Sequence, residues 1–221
     1  KGSIAISMFG NTTACVDRCT ALLKDLNYEV LAFHATGVGG KTMESLIREG
    51  YFKAVLDVTT TELADELCEG ICNAGPTRLT AAAEIGIPQV VVPGCLDMVN
   101  FAHLDTVPNQ FKNRQLYSWA PDVTLMRTDV AENQELGKRL AQKVNQSKAS
   151  ASIYLPLKGI SQVDSTGNIF YNPEANHSLF HAIKEHAQAH IPVKELDLHI
   201  NDPAFADALV AALVAQIPSI Q

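Results

Sequence analysis

The chain has 221 residues, 47% of them apolar, enough to build a sizeable core and to exclude an intrinsically disordered protein. Its 17 basic and 24 acidic residues leave a net charge of −7, with no basic excess to neutralise phosphates, so DNA or RNA binding as a main role is excluded. No apolar run reaches the roughly 18 residues of a membrane span, and the N-terminus lacks the basic, apolar, small-residue order of a signal peptide.

A cytoplasmic protein with no membrane partner is expected. Five cysteines, Cys15, Cys19, Cys68, Cys72 and Cys95, are odd in number and predict free thiols rather than disulfides. The opening "KGSIAISMFG" enters a strand almost at once without an initiator methionine, which reads as a piece of a longer protein.

In chain order, the first strand is "SIAISMF" (3–9), followed by a helix whose apolar stripe is Cys15, Cys19, Leu22 and Leu26. "EVLAFHA" (29–35) and "KAVLDV" (53–58) come next, with a short helix between them. A second stripe, Leu63, Ala64, Leu67, Cys68, Ile71 and Cys72, precedes "PQVVVP" (88–93). Residues 96–121 are the least regular stretch and predict an excursion or lid over the sheet edge.

Beyond it lies "DVTLMR" (122–127), then a helix announced by the capping-box pair Asp129 and Glu132 with the stripe Leu136, Leu140 and Val144. "ASIYLPL" (151–157) and "VKELDLHI" (193–200) complete the strands. Asn172-Pro173 and Asp202-Pro203 open the last two helices. Alternating strand and helix patterns predict one α/β domain over 1–221: a doubly wound, Rossmann-like, mainly parallel sheet of about seven strands with helices on both faces.

In such sheets ligands bind beyond the carboxyl ends of the strands, where helix-entering turns expose N–H groups. Residues suited to anions recur there: Gly10, Asn11, Thr12 and Thr13; Gly37, Gly39, Gly40, Lys41 and Thr42; Thr59, Thr60 and Thr61; Gly94; Gly159 and Ser161. Gly75, Pro76, Thr77 and Arg78 open the helix before the fourth strand. Each turn alone uses only ordinary turn chemistry. Together, with Lys41 and Arg78 adding positive charge, they predict a pocket for an anionic small molecule carrying phosphate or carboxylate.

"ATGVGGKT" (35–42) nearly matches the phosphate loop of ATPases, with Asp57 placed like a magnesium-holding acid, so ATP with magnesium is one candidate cofactor. Against this stand Ala35 where the loop needs glycine, a short following helix, and the position in the second rather than the first βα unit. No metal site is predicted from the protein's own side chains. His177, His181, His186 and His190 fall on one predicted helix, but the first and second pairs face nearly opposite directions. For proton transfer the weak candidates are Asp57, Asp97 and His103; Cys95, alone in a loop, is a weak nucleophile candidate.

The segments "GVGGKTMESLI", "DVTTTELADEL", "GPTRLTAAAEIGIPQVVVPGCLDMVNF", "LPLKGIS" and "INDPAF" occur in this order across most of the chain. With them the sequence resembles the second conserved domain of the Tm-one-like family, named for a tomato protein that inhibits a tobamovirus replication protein. The resemblance implies a preceding α/β domain, absent here, on whose account the family is described as ATP-binding, and it carries over no catalytic residue. Three functions compete: an enzyme on an anionic metabolite, a regulatory nucleotide-binding module, and an interaction or homo-oligomer domain suggested by the apolar helix "FADALVAALVAQI".

Overall fold

The computed structural model describes residues 1–218. Its elements in chain order are β1 (Ser3–Met8), α1 (Thr13–Asp25), β2 (Glu29–His34), α2 (Val38–Arg48), β3 (Ala54–Thr59), α3 (Glu62–Leu67), α4 (Ala81–Ile85) and β4 (Gln89–Gly94). There follow β5 (Met98–Phe101), β6 (Leu116–Ala120), β7 (Val123–Arg127), α5 (Val130–Asn145), β8 (Ala151–Pro156), α6 (Pro173–His186), β9 (Val193–Leu196) and α7 (Pro203–Gln216). Six strands form one parallel sheet in the order β2-β1-β3-β4-β8-β9. β1 lies between β2 and β3, so the winding reverses there and the following helices divide between the two faces.

Alternation along the central strands separates two cores. Ile4, Ile6, Leu56, Val90 and Val92 pack with α1 and α7. On the other face Ala5 and Val55 pack with α2 and α4, while Val91, Ile153 and Leu155 pack with α3, α5 and α6. Phe205, Leu209 and Leu213 of α7 are buried in the first core, so its apolar width is spent within the chain. Among the described residues no helix is long and apolar enough to cross a membrane.

The α/β architecture agrees with the sequence reading, with four local corrections. The strand at 122–127 joins a separate antiparallel sheet, β5-β7-β6, to which the stretch 96–121 contributes its other two strands. The buried stripe of α1 is Cys15, Val16, Cys19 and Leu23, while Leu26 is exposed, because the helix ends at Asp25. α3 stops at Leu67 and Glu69 takes a positive φ, so Cys72 is buried in a turn and Ile71 faces outward. α6 ends at His186, leaving His190 outside it. The capping box of Asp129 and Glu132 and the Asn172 cap are both formed.

Candidate functional site

β3 and the turn after it bring Asp57, Thr59 and Glu62 beneath the guanidinium of Arg78, which is fully buried. Arg78 meets Asp57 through two bonds, Nη1 to Oδ2 at 2.6 Å and Nη2 to Oδ1 at 2.7 Å. Its Nε donates to Glu62 Oε1 at 2.7 Å, and its Nη1 lies 3.4 Å from Glu44 Oε1. Glu44 in turn accepts from the N–H groups of Leu79, Thr80 and Ala81, capping α4. Burial works to lower the pKa of Arg78, but Asp57, Glu62 and Glu44 outweigh it and hold the guanidinium well above its ordinary value. Glu62 is shifted upward by burial, an effect that Arg78 and the Gly37 N–H reduce.

The glycine-rich turn is filled from inside. Glu62 Oε2 accepts from Gly37 N at 2.7 Å and from Gly40 N at 3.1 Å, so the N–H groups that face phosphate in an ATPase loop here face a carboxylate. A Cβ on Gly40 would collide with that carboxylate, and one on Gly39 with the His34 carbonyl. α2 begins at Val38, which places Gly39, Gly40 and Lys41 in a helical first turn rather than a loop. Asp57, the magnesium candidate, is engaged by Arg78 and by Ser7 Oγ at 2.6 Å.

The remaining predicted residues divide in two. Thr12 and Thr59 bond to each other at 2.8 Å in the crevice between β1 and β3, and Thr60 and Thr61 donate to the carbonyls of Val92 and Met98. Gly94 allows β4 to approach the Val58 carbonyl. Exposed at the same edge are Gly10, Thr13, Lys41, Thr42, Pro76 and Thr77, with Gly75 half-buried. Thr13 and Thr42 donate to carbonyls of their own turns, and Pro76 offers its carbonyl to Lys143 Nζ. His103 is exposed beside Asp105 at 3.3 Å. Cys95 is wholly buried, and burial, then Asp97 and Asp164, push its thiol well above the ordinary value, which disfavours the thiolate a nucleophile needs.

Gly159 and Ser161 belong to a different part of the edge. The turn after β8 and the turn after β9 enclose, with the start of α6, a cavity of about 670 Å³. Lys158, Thr166, Tyr171, His177, His199 and Asp202 lie on its wall. Lys158 is 59% exposed, with Asp197 at 3.5 Å. His199 is fixed by Nε2 to the Ser161 carbonyl at 2.8 Å and by Nδ1, which accepts from Asn201 N at 3.1 Å. Behind the wall, Ser161 Oγ donates to buried Asp97 at 2.6 Å, and Asn176 Nδ2 donates to buried Asp164 at 2.7 Å.

A second cavity, of about 490 Å³ beside the C-terminal half of α5, has its cations already engaged. Arg139 pairs with Glu66 and Glu135, while Lys143 and Lys148 donate to carbonyls. In the cavity beyond β8 and β9 the cation is Lys158, exposed and opposed by Asp197 at 3.5 Å, with Asp202 on the same wall. Of the residues around it, the sequence pattern singles out Gly159 and Ser161 but not Lys158, Asp164, Asn176 or His199. His177 enters that pattern as one of four histidines on a predicted helix, with no ligand role. The signal was two turns, forty residues apart, that β8 and β9 bring side by side.

Residues 1–217 match the family model described as "Uncharacterised protein family (UPF0261) C-terminal domain". A UPF0261 protein of Clostridium tetani is 48% identical over 215 residues, covering 97% of this chain and 53% of the relative. The ToMV resistance protein Tm-1(GCR237) of Solanum lycopersicum is 41% identical over 220 residues, covering 99% of this chain and 29% of that protein. A UPF0261 protein of Rhizobium meliloti is 40% identical over 214 residues, covering 96% and 54%. The chain thus spans about half the length of these bacterial relatives and less of the tomato protein.

Proposed function

This chain belongs to the uncharacterised family UPF0261, as its C-terminal domain, and from that premise we propose that it binds an organic anion, phosphorylated or carboxylated, at the carboxyl edge of its sheet. The observation that carries the reading is the 670 Å³ cavity with Lys158 and His177 on its wall. Its volume falls in the range of about 300–1,000 Å³ typical of small-molecule sites. Tyr171 and Phe180 add an apolar surface for the body of the ligand, and Thr166 supplies a hydroxyl. Lys41 stands apart, exposed at the first turn of α2, where the adjoining N–H groups already serve Glu62.

The test is a thermal-shift panel of sulfate, phenyl phosphate, ribose 5-phosphate, citrate and ATP with and without magnesium. A ligand at a hundred times its Kd stabilises by about 2.7 kcal/mol. Lys158→Ala is expected to abolish the shift for the anions that bind, and Lys41→Ala to leave it unchanged. The opposite pattern would move the site to the glycine-rich turn, and a shift by ATP alone, dependent on magnesium and Lys41, would favour the regulatory nucleotide reading.

A further inference from the structure

We propose that the cavity takes up a proton together with its anion and that Asp97 holds this proton; the inference rests on the anion reading of the cavity. Asp97 and Asp164 are both fully buried, and each is only half satisfied. Asp97 Oδ2 accepts from Ser161 Oγ at 2.6 Å, and Asp164 Oδ2 accepts from Ile160 N at 3.0 Å and Asn176 Nδ2 at 2.7 Å. The Oδ1 atoms of both carboxyls have no donor among the described residues. A buried oxygen without a donor costs on the order of 1–3 kcal/mol, and more when it carries charge.

Charge does not balance there either. The facing cation is Arg127, whose Nη2 approaches Asp164 Oδ1 at 3.7 Å while the guanidinium donates to the Phe170 carbonyl, Asn172 carbonyl and Asn176 Oδ1. Two carboxylates and one guanidinium leave one negative charge in excess. Asp97, which has no bond to Arg127, is the member that gives it up by binding a proton. Burial first, and then the charge of Asp164, push the Asp97 carboxyl up to about 7, with Arg127 and Ser161 working the other way. Cys95 also faces the pair, and its thiol stays protonated.

The pair lies directly behind the cavity wall. Asn176 joins the wall to Asp164, and His199 joins it to Asp97 through Ser161, whose carbonyl accepts from His199 and whose hydroxyl donates to Asp97. Lys158, His177, His199 and Asp202 are the titratable groups on the cavity side. A negative charge placed in the cavity makes ionisation of Asp97 costlier and raises its affinity for a proton. In the range where free Asp97 is mostly ionised, binding of the anion then draws one proton in.

The probe is sulfate, whose own charge does not change near neutral pH. Isothermal titration in two buffers of different ionisation enthalpy counts the protons taken up. Uptake approaching about one proton per sulfate is expected just above neutrality, with affinity falling toward a limit of about tenfold per pH unit. Asp97→Asn should remove both the uptake and this pH dependence, and Asp164→Asn should move the uptake to lower pH. His177→Gln should weaken binding but keep the uptake.

Sulfate binding without proton uptake, or uptake that survives in Asp97→Asn, or uptake lost in His177→Gln alone, would overturn the proposal while leaving the cavity as an anion site. Failure of sulfate and of every other anion in the panel to bind would overturn both. An infrared carboxylic-acid stretch just below neutral pH, which loses one component in Asp97→Asn and keeps that of Asp65, checks the proton on the free protein independently.

Discussion

Arg78 was expected, from its place in a glycine-containing turn, to reach outward to a ligand; instead it is the central charge of a buried network with Asp57, Glu62 and Glu44. Sequence spacing shows that an arginine stands in a turn, but not that three carboxylates from α2, β3 and α3 will converge on it. Replacing Arg78 by Met leaves those carboxylates buried without their cation and should cost about 3–5 kcal/mol in urea unfolding. Arg78→Lys should recover little of this, because an ammonium cannot reproduce the two-bond contact to Asp57 along with the Nε bond to Glu62.

Asp97 makes the complementary case, an acid whose folded pKa is raised to about 7 from an ordinary 3.8. The folded state then binds more protons than the unfolded chain between these values, so this group's contribution to stability declines as pH rises through that window. Urea unfolding from pH 4 to 8 should show Asp97→Asn gaining on the parent protein over the window, and a parallel pair of profiles would contradict the assignment. Asp65, pushed to about 7 mainly by burial, tilts both profiles in the same direction, so the difference between them isolates Asp97.

Among the elements, the parallel strands were legible because β3 and β4 are apolar on both faces, as a sheet covered by two helical layers requires. Two of the three strands of the small sheet were not. "MVNF" and "LYSWA" are four and five residues long, and neither carries a strong period. "VTLMR" was recognised as a strand but assigned to the wrong sheet, since pairing direction is set by contacts and not by pattern.

At α2 the glycines can be tested directly. Gly40→Ala improves helix propensity by roughly 1 kcal/mol but drives a methyl group into the Glu62 carboxylate. A net loss of about 1–3 kcal/mol is expected for such overpacking. If the variant melts at or above the parent temperature, the glycine is not there for Glu62.

For the whole molecule, the sequence reading spread its anion pocket along the carboxyl edge of the sheet, and the cavity proposed as the site lies at one end of that edge. Doubly wound folds bind ligands where the winding reverses, and here that crevice, between β1 and β3, is closed by the Thr12–Thr59 contact and by the Arg78 network below it. The open volume lies instead at the far end, beyond β8 and β9. A rule based on chain order cannot detect this, because the residues filling the crevice are the same Gly, Thr, Asp and Arg that would line it if it were open. Lys158 and His177 were obscure for a second reason: they come from separate elements, β8's following turn and α6, and line one cavity only through the fold.

The contact between Glu62 and the glycine-rich turn makes the protein its own anion donor: a tethered carboxylate sits in a socket shaped for an oxyanion. Cutting the tether, as in Glu62→Gly, should leave two amide donors and the Arg78 Nε directed at a hole the size of a carboxylate. Acetate or formate added to the buffer should then restore much of the lost melting temperature, and chloride at equal ionic strength should not. Such a variant would carry at the reversal point the free receptor that the natural sequence keeps filled.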